Sequence, residues 1–272
     1  MPSLFSARPG RRALVAAVTA GLLLPLAACS GGGSDAGDGG KEGGDAAGGN
    51  RSVKMTVLAA ASLTDVFKTA GAAYEKAHPG TKITFSFAGS QELVAQVAQG
   101  SPADVLVTAD TASMDKVKAD TGTPSVIAKN RLVIATVPGN PHKVAALKDL
   151  ADPKLKVVLA APEVPAGKYS RKVLDAQKIT VKPVSLEPSV RAVLSKVRLG
   201  EADAGLVYKS DAQSAAGKVD TVAIPDVQNA VAAYPAAALK QSPNAKDAAA
   251  FVAWLSTPEA RKILQDAGFQ QP

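Results

Sequence analysis

From Val53 onward, apolar runs of strand length alternate with segments whose apolar residues recur at helical spacing. Val53 to Ala60 is a continuous apolar run that predicts a strand. Leu63, Val66, Phe67, Ala70 and Tyr74 then mark one face of a helix. Ile83, Phe85 and Phe87 alternate with Thr84 and Ser86, the two-residue period of a strand. Leu93, Val94, Val97 and Ala98 give the next helical face. Val105 to Val107 predicts a strand, followed by a helix near Ser113 to Ala119. Further strands are predicted at Leu132 to Val137, Val157 to Ala160 and Leu206 to Tyr208. Val190, Val193, Leu194 and Val197 form another helical stripe. The final helix buries Phe251, Val252, Leu255, Ile263 and Leu264. This alternation argues for an α/β fold with largely parallel sheets. No internal repeat is evident.

The first 50 residues follow a different pattern. Arg8, Arg11 and Arg12 precede an apolar run from Ala13 to Ala28, which ends in Leu26-Ala27-Ala28-Cys29. A basic, then apolar, then small-residue order is that of a secretory signal. The run is shorter than the roughly 20 residues that span a bilayer. Leu-Ala-Ala-Cys resembles a bacterial lipobox, in which the thiol receives a diacylglycerol and the preceding peptide is removed. The sequence therefore predicts a signal peptide over 1–28 and a lipidated Cys29. Cys29 is the single cysteine, so an internal disulfide is excluded. Two acyl chains also suffice for stable anchoring. Residues 30 to 50 hold ten glycines and no apolar periodicity. They read as a spacer with a reach of roughly 25 Å, so 29–50 forms the lipidated anchor and linker.

Charge changes the picture little. The net charge of +7 falls to +4 once the three arginines of the leader are removed, leaving 28 basic and 24 acidic side chains. No basic cluster is interleaved with aromatics, which argues against a nucleic-acid partner. His78 and His142 are isolated and lack metal-ligand spacing.

The candidate chemistry lies where strands run into helices. Ala59-Ala60-Ala61-Ser62-Leu63-Thr64-Asp65 places Ser62 to cap a helix, with Asp65 as its capping-box partner. Ala88-Gly89-Ser90 gives Ser90 the same role. Pro162-Glu163-Val164-Pro165-Ala166-Gly167 puts Pro165 in a first helical turn. Each helix start carries unpaired N–H groups and about half a positive charge. Ligands of open α/β sheets bind outside the carboxyl ends of the strands. Three such starts with small flanking residues predict a donor-lined site for an anion. Lys168, Lys172 and Arg191 are expected on solvated helix faces, Asp104 and Asp110 in turns or caps, and Trp254 in the core.

The strings AAASLTDVF, FAGSQEL, GSPADVLVTAD, VPAGKY, SVRAVL and GLVYKSDA occur in that order. Together they resemble the extracytoplasmic molybdate-binding proteins of ABC transporters, over about Val53 to Phe269. The resemblance implies a two-lobed type II periplasmic-binding-protein fold, with mixed sheets flanked by helices and the ligand between the lobes. Residues 51–131 with 232–272 would form one lobe and 132–231 the other. Hinges would lie near Asn130-Arg131 and Ala232-Ala233.

The resemblance also assigns roles. Ser62 and Ser90 would each donate a hydroxyl, Ala166 and Val190 a backbone N–H, and Tyr208 its phenol. Glu187-Pro188-Ser189 departs from the family pattern, which leaves open whether Val190 or its neighbour Ser189 supplies the donor. The implied ligand is molybdate or tungstate, with molybdenum held only as the oxyanion and no cofactor or bare metal cation. The implied partner is an ABC permease. The implied setting is extracytoplasmic, on the cell membrane through the lipid anchor, as a monomer. Two other classes stay open: a binder of another oxyanion such as sulfate, and an exported serine-based enzyme using Ser62 or Ser90 with Lys168. Neither serine lies in a GxSxG or SxxK motif. A ligand-sensing domain on the same fold is disfavoured by the signal segment.

Overall fold

The computed structural model describes residues 52–272. The leader, Cys29 and the Gly-rich segment lie outside the described residues. The described chain runs β1 (Val53–Ala60), α1 (Thr64–Ala77), β2 (Thr81–Ala88), α2 (Ser90–Ala98), β3 (Val105–Val107), α3 (Thr111–Asp115) and β4 (Ser125–Thr136). It continues through β5 (Val157–Ala160), α4 (Pro165–Ala176), β6 (Ser185–Glu187), α5 (Val190–Arg198), β7 (Ala204–Tyr208) and α6 (Lys209–Ser214). It ends with β8 (Asp220–Ala223), β9 (Val231–Ala238), α7 (Ala245–Trp254) and α8 (Pro258–Asp266). A short 3₁₀ turn, Ala61–Leu63, joins β1 to α1.

The strand order is β2-β1-β3-β9-β4-β7-β5-β6, with β8 paired to β4. The β1–β2, β1–β3, β5–β6 and β5–β7 pairs are parallel. The β3–β9, β4–β9, β4–β7 and β4–β8 pairs are antiparallel. The sheet is therefore mixed rather than largely parallel. The reason is that β4 and β9 are crossover strands. β4 pairs with β9 from Ser125 to Arg131 and with β7 from Leu132 to Thr136. One strand thus joins two α/β halves.

Burial explains the elements. In β1, Val53, Met55, Val57 and Ala59 face the larger core while Leu58 packs with Leu93, Val94 and Leu106 on the other side. Helix α1 buries Val66, Phe67, Ala70 and Tyr74, and α5 buries Val190, Val193, Leu194 and Val197. Phe251 and Trp254 are core residues that pack against the Tyr74 ring. Strand β4 begins at Ser125, earlier than the apolar run Leu132–Val137 suggested. β6, β8 and β9 carry no sequence periodicity strong enough to mark them.

Candidate functional site

Three helices and the 3₁₀ turn begin at one place. Their first residues line a small cavity, formed by Ser62 at the exit of β1, Ser90 at the start of α2, Ala166 in α4, Ser189 and Val190 at the start of α5, and Tyr208 at the end of β7. The five residues singled out from the sequence thus face the same space. None of the lining residues carries an ionisable group apart from the Tyr208 phenol. Among the described residues, no group of three or more His, Cys, Asp or Glu side chains is placed to hold a metal ion.

Local sequence dictates the cavity. The first four N–H groups of a helix have no intrahelical acceptor. Ser90, Ala166 and Val190, each within the first two residues of its helix, line the cavity. Pro165 occupies the first turn of α4, as its missing N–H allows. Gly167 lets that turn sit against β5, since a Cβ there would overlap the carbonyl oxygen of Ala161. The helix starts together place several partial positive charges around one small volume.

The serines depart from the capping roles expected of them. Ser62 lies inside the 3₁₀ turn, and no side chain caps α1. Its Oγ instead meets the Tyr234 phenol at 2.9 Å. Ser90 is the first residue of α2, with Gly89 before it as the uncapped N-cap. Its Oγ accepts the Ala109 N–H at 3.0 Å. Caps of the expected kind do occur at Asp110 for α3 and at Ser189 for α5. Ser189 Oγ accepts the Ala192 N–H at 3.3 Å. The Ser90 and Ser189 hydroxyls therefore spend their oxygens on acceptance and keep their protons free to donate.

Tyr208 is 1% exposed. Its phenol is buried and has no hydrogen-bond partner among the described residues. Burial pushes the phenol pKa well above 10, and the neighbouring Tyr234, Tyr169, Asp211 and Asp110 add to the shift. The group is thus a neutral hydroxyl holding its proton. A buried hydroxyl without a partner costs about 1–3 kcal/mol, which a ligand acceptor would recover. Its backbone N–H is held by Asp211 Oδ2 at 3.2 Å.

Polar contacts join the two sides of the cavity. Arg191 Nη1 donates to Asp65 Oδ2 at 2.7 Å. Arg191 Nε also lies 2.7 Å from Oδ1 of the fully buried Asp211. Lys168 Nζ donates to Asp110 Oδ2 at 2.8 Å. Gln91 Nε2 donates to the Pro188 carbonyl at 2.9 Å. Lys168 and Arg191 are therefore not on solvated faces as the sequence suggested, because carboxylates across the cavity draw them inward. Lys172 is exposed as expected. Burial raises the Asp211 carboxyl to about 6, against the opposing pull of Arg191 and of the Tyr208 N–H.

Sequence reasoning missed Tyr234, Gln91 and Asp211. Tyr234 sits in an alanine-rich run with Pro235, which gives no strand signal. Asp211 follows Tyr208 by three residues in the string GLVYKSDA, the spacing of a helix-start acceptor.

Residues 55–270 match the family described as bacterial extracellular solute-binding protein. The chain is 44% identical over 221 residues to the molybdate-binding protein ModA of Mycobacterium tuberculosis H37Rv, covering 80% of this chain and 85% of that one. Among solved structures, the periplasmic molybdate-binding protein of Azotobacter vinelandii superposes with a TM-score of 0.69 at 23% identity, covering 80% of this chain and 99% of that one. The sulfate-binding protein SubI of M. tuberculosis superposes with a TM-score of 0.72 at 20% identity, covering 80% and 87%. Those two likenesses fix the fold as the two-lobed type II architecture of periplasmic binding proteins. The family is one of solute binders, not enzymes. From its sequence match, its sheet built around a crossover strand and its donor-lined cavity, the chain belongs to the bacterial extracellular solute-binding protein family.

Proposed function

We propose that this protein captures molybdate, and also tungstate, outside the cytoplasm and delivers it to an ABC import permease. The observation that carries the reading is a small cavity that offers hydrogen-bond donors and no carboxylate. Molybdate is a tetrahedral dianion that is fully deprotonated at neutral pH, so each oxygen accepts hydrogen bonds and none donates. Hydroxyls of Ser62, Ser90 and Tyr208 and the N–H groups of Ala166 and Val190 supply matching donors. Ser189 is positioned to add its hydroxyl, since that oxygen already accepts a backbone N–H. The helix starts offset the dianion's charge without a salt bridge. The 44% identity to a ModA protein supports molybdate over other oxyanions.

In this reading residues 51–131 with 232–272 form one lobe and 132–231 the other. The partner change of β4 between Arg131 and Leu132 supports that boundary. The Arg191–Asp65, Lys168–Asp110 and Gln91–Pro188 contacts then bridge the lobes in the closed form. Closure removes water from the cavity and strengthens each hydrogen bond. It also presents the surface a permease recognises. Cys29, lipidated after signal cleavage, holds the protein at the membrane as a monomer on its Gly-rich tether. Replacing Cys29 by serine would move the protein from the detergent phase to the aqueous phase.

Calorimetry of the folded body with molybdate, tungstate, sulfate and inorganic phosphate tests the ligand. Tight binding of molybdate and of tungstate, with sulfate and phosphate far weaker, is expected. Sulfate binding as tightly as molybdate would overturn the assignment.

A further inference from the structure

Asp65 is an acidic side chain beside a site proposed to hold a dianion. It lies in the first turn of α1, just beyond Ser62. The sequence casts it as a capping-box partner, yet no side chain caps α1. Its carboxylate instead reaches α5, where Oδ2 accepts a hydrogen bond from Arg191 Nη1 at 2.7 Å. Arg191 directly follows Val190, one of the residues that line the cavity. Asp65 and Arg191 also line the groove that adjoins the cavity at Ser62. The pair therefore stands at the rim, with the Asp65 side chain 54% and the Arg191 side chain 23% exposed.

The two sides of the Arg191 fork have different partners. Nε lies 2.7 Å from Asp211 Oδ1, and the Asp211 side chain has no exposure. The other oxygen of Asp211 accepts the Tyr208 N–H at 3.2 Å. Arg191, Asp211 and Tyr208 all belong to residues 132–231. Releasing Asp211 would strand a buried carboxylate without its cation, which is strongly unfavourable. That contact therefore persists whether the lobes are apart or together, and it fixes the guanidinium. Nη1 alone crosses to residues 51–131. Water reaches Asp65, so this second contact forms and breaks at small cost. A planar fork fixed on one side is also preorganised for a second carboxylate.

We propose that Asp65 and Arg191 form a latch that slows release of the captured anion, with Asp211 holding Arg191 ready and Asp65 engaging it only when the lobes close. The proposal rests on the two-lobe capture described above and deepens it. Both are positioning residues, setting the residence time without supplying a donor to the anion. On charge alone, a carboxylate at the rim would hasten loss of a dianion. Pairing with Arg191 reverses that sign, because the ion pair stabilises the closed form while the guanidinium masks the carboxylate. Release is the step a closure contact governs, and it is where most affinity differences among variants of one site arise.

Two variants test the latch, each read as the release of radiolabelled molybdate after a chase with excess unlabelled molybdate. Asp65→Asn removes the charge and keeps the shape. Asp65→Lys sets two cations face to face. Long-range electrostatics and the latch predict opposite signs here. Removing or reversing a negative charge near a dianion should slow its release if charge alone matters. The latch predicts faster release, by roughly two- to fivefold in Asp65→Asn, the range of a partly exposed ion pair, and by more in Asp65→Lys. Capture should be as fast as in the unaltered protein or faster. The Lys168–Asp110 and Gln91–Pro188 contacts stay in place in both variants, so binding is weakened and not abolished. Urea unfolding of unliganded Asp65→Asn should match that of the unaltered protein, since the pair forms on closure.

Release as slow as that of the unaltered protein, or slower, in either variant would overturn the latch. So would faster release matched by an equal loss of unliganded stability in Asp65→Asn, which would place Asp65 in the folding of α1 and not in closure. Circular dichroism confirms folding, and Asp65→Asn carries the test alone where Asp65→Lys fails to fold. If the unaltered protein holds sulfate and not molybdate, the ligand assignment fails, and the same series run with sulfate still decides the latch. If it holds neither, the capture function and the latch fall together.

Discussion

Replacing Arg191 by methionine should destabilise the protein in a manner that depends steeply on pH. Arg191 Nε lies 2.7 Å from Asp211 Oδ1, and the Asp211 side chain has no solvent exposure. The Asp211 carboxyl titrates near 6 in the folded protein, against about 3.9 in an unfolded chain. A raised carboxyl pKa means that the folded state holds its proton more tightly than the unfolded state. The contribution of Asp211 to stability is therefore greatest below about pH 4 and declines as pH rises toward 6. The two-unit difference amounts to about 3 kcal/mol. Without Arg191 the ionised carboxylate loses its main attractive partner, and its pKa moves higher still. The decline of about 1.4 kcal/mol per pH unit then continues above pH 6. The cost of Arg191→Met should be about 1 kcal/mol at pH 5, where Asp211 is mostly protonated in both proteins. It should approach about 3–5 kcal/mol at pH 8, as for a buried ion pair deprived of one partner. Urea unfolding at the two pH values, at constant ionic strength, measures the difference. Adding Asp211→Asn should abolish the pH dependence, because the amide still accepts the Tyr208 N–H. An equal cost at pH 5 and pH 8 would refute the reasoning.

Three further outcomes are expected from the geometry of the cavity. Ser90→Ala leaves the buried Ala109 N–H without its acceptor, so it should lower unfolding free energy by about 1–3 kcal/mol and weaken anion binding; an unchanged urea midpoint would contradict this. A Cβ at Gly89 would lie 2.5 Å from the Pro188 carbonyl oxygen. Gly89→Ala should therefore hold the two sides of the cavity apart and weaken anion binding in calorimetry, with unfolding free energy nearly unchanged. Gly167→Ala forces the first turn of α4 off the Ala161 carbonyl, and should cost about 1–3 kcal/mol as overpacking in urea unfolding.

Much of this arrangement can be read from the chain because burial writes itself into period and spacing. Strand β1 and helices α1 and α5 are marked by their apolar faces, and the small residues at strand exits mark the cavity. Strand β9 escapes such reading. Val231–Ala238 is rich in alanine, a helix former, and contains Pro235. It is a strand because tertiary pairing with β3 and β4 overrides propensity. Tyr234 was hidden for the same reason. Ser62 and Ser90 illustrate another limit. A serine at a helix start reads as a cap, yet here both oxygens are engaged by partners far along the chain, Tyr234 and Ala109. No local pattern carries that information. The inward turn of Lys168 and Arg191 is likewise invisible in sequence, because Asp110 and Asp65 lie on other elements.

The most direct measurement is a crystal structure of the molybdate-loaded protein with anomalous diffraction at the molybdenum edge. A single peak should lie in the small cavity, with oxygens reached by the hydroxyls of Ser62, Ser90 and Tyr208 and by the N–H groups of Ala166 and Val190. Molybdenum found only elsewhere, such as in the groove lined by Thr69, Gln213 and Ile263, would contradict the account.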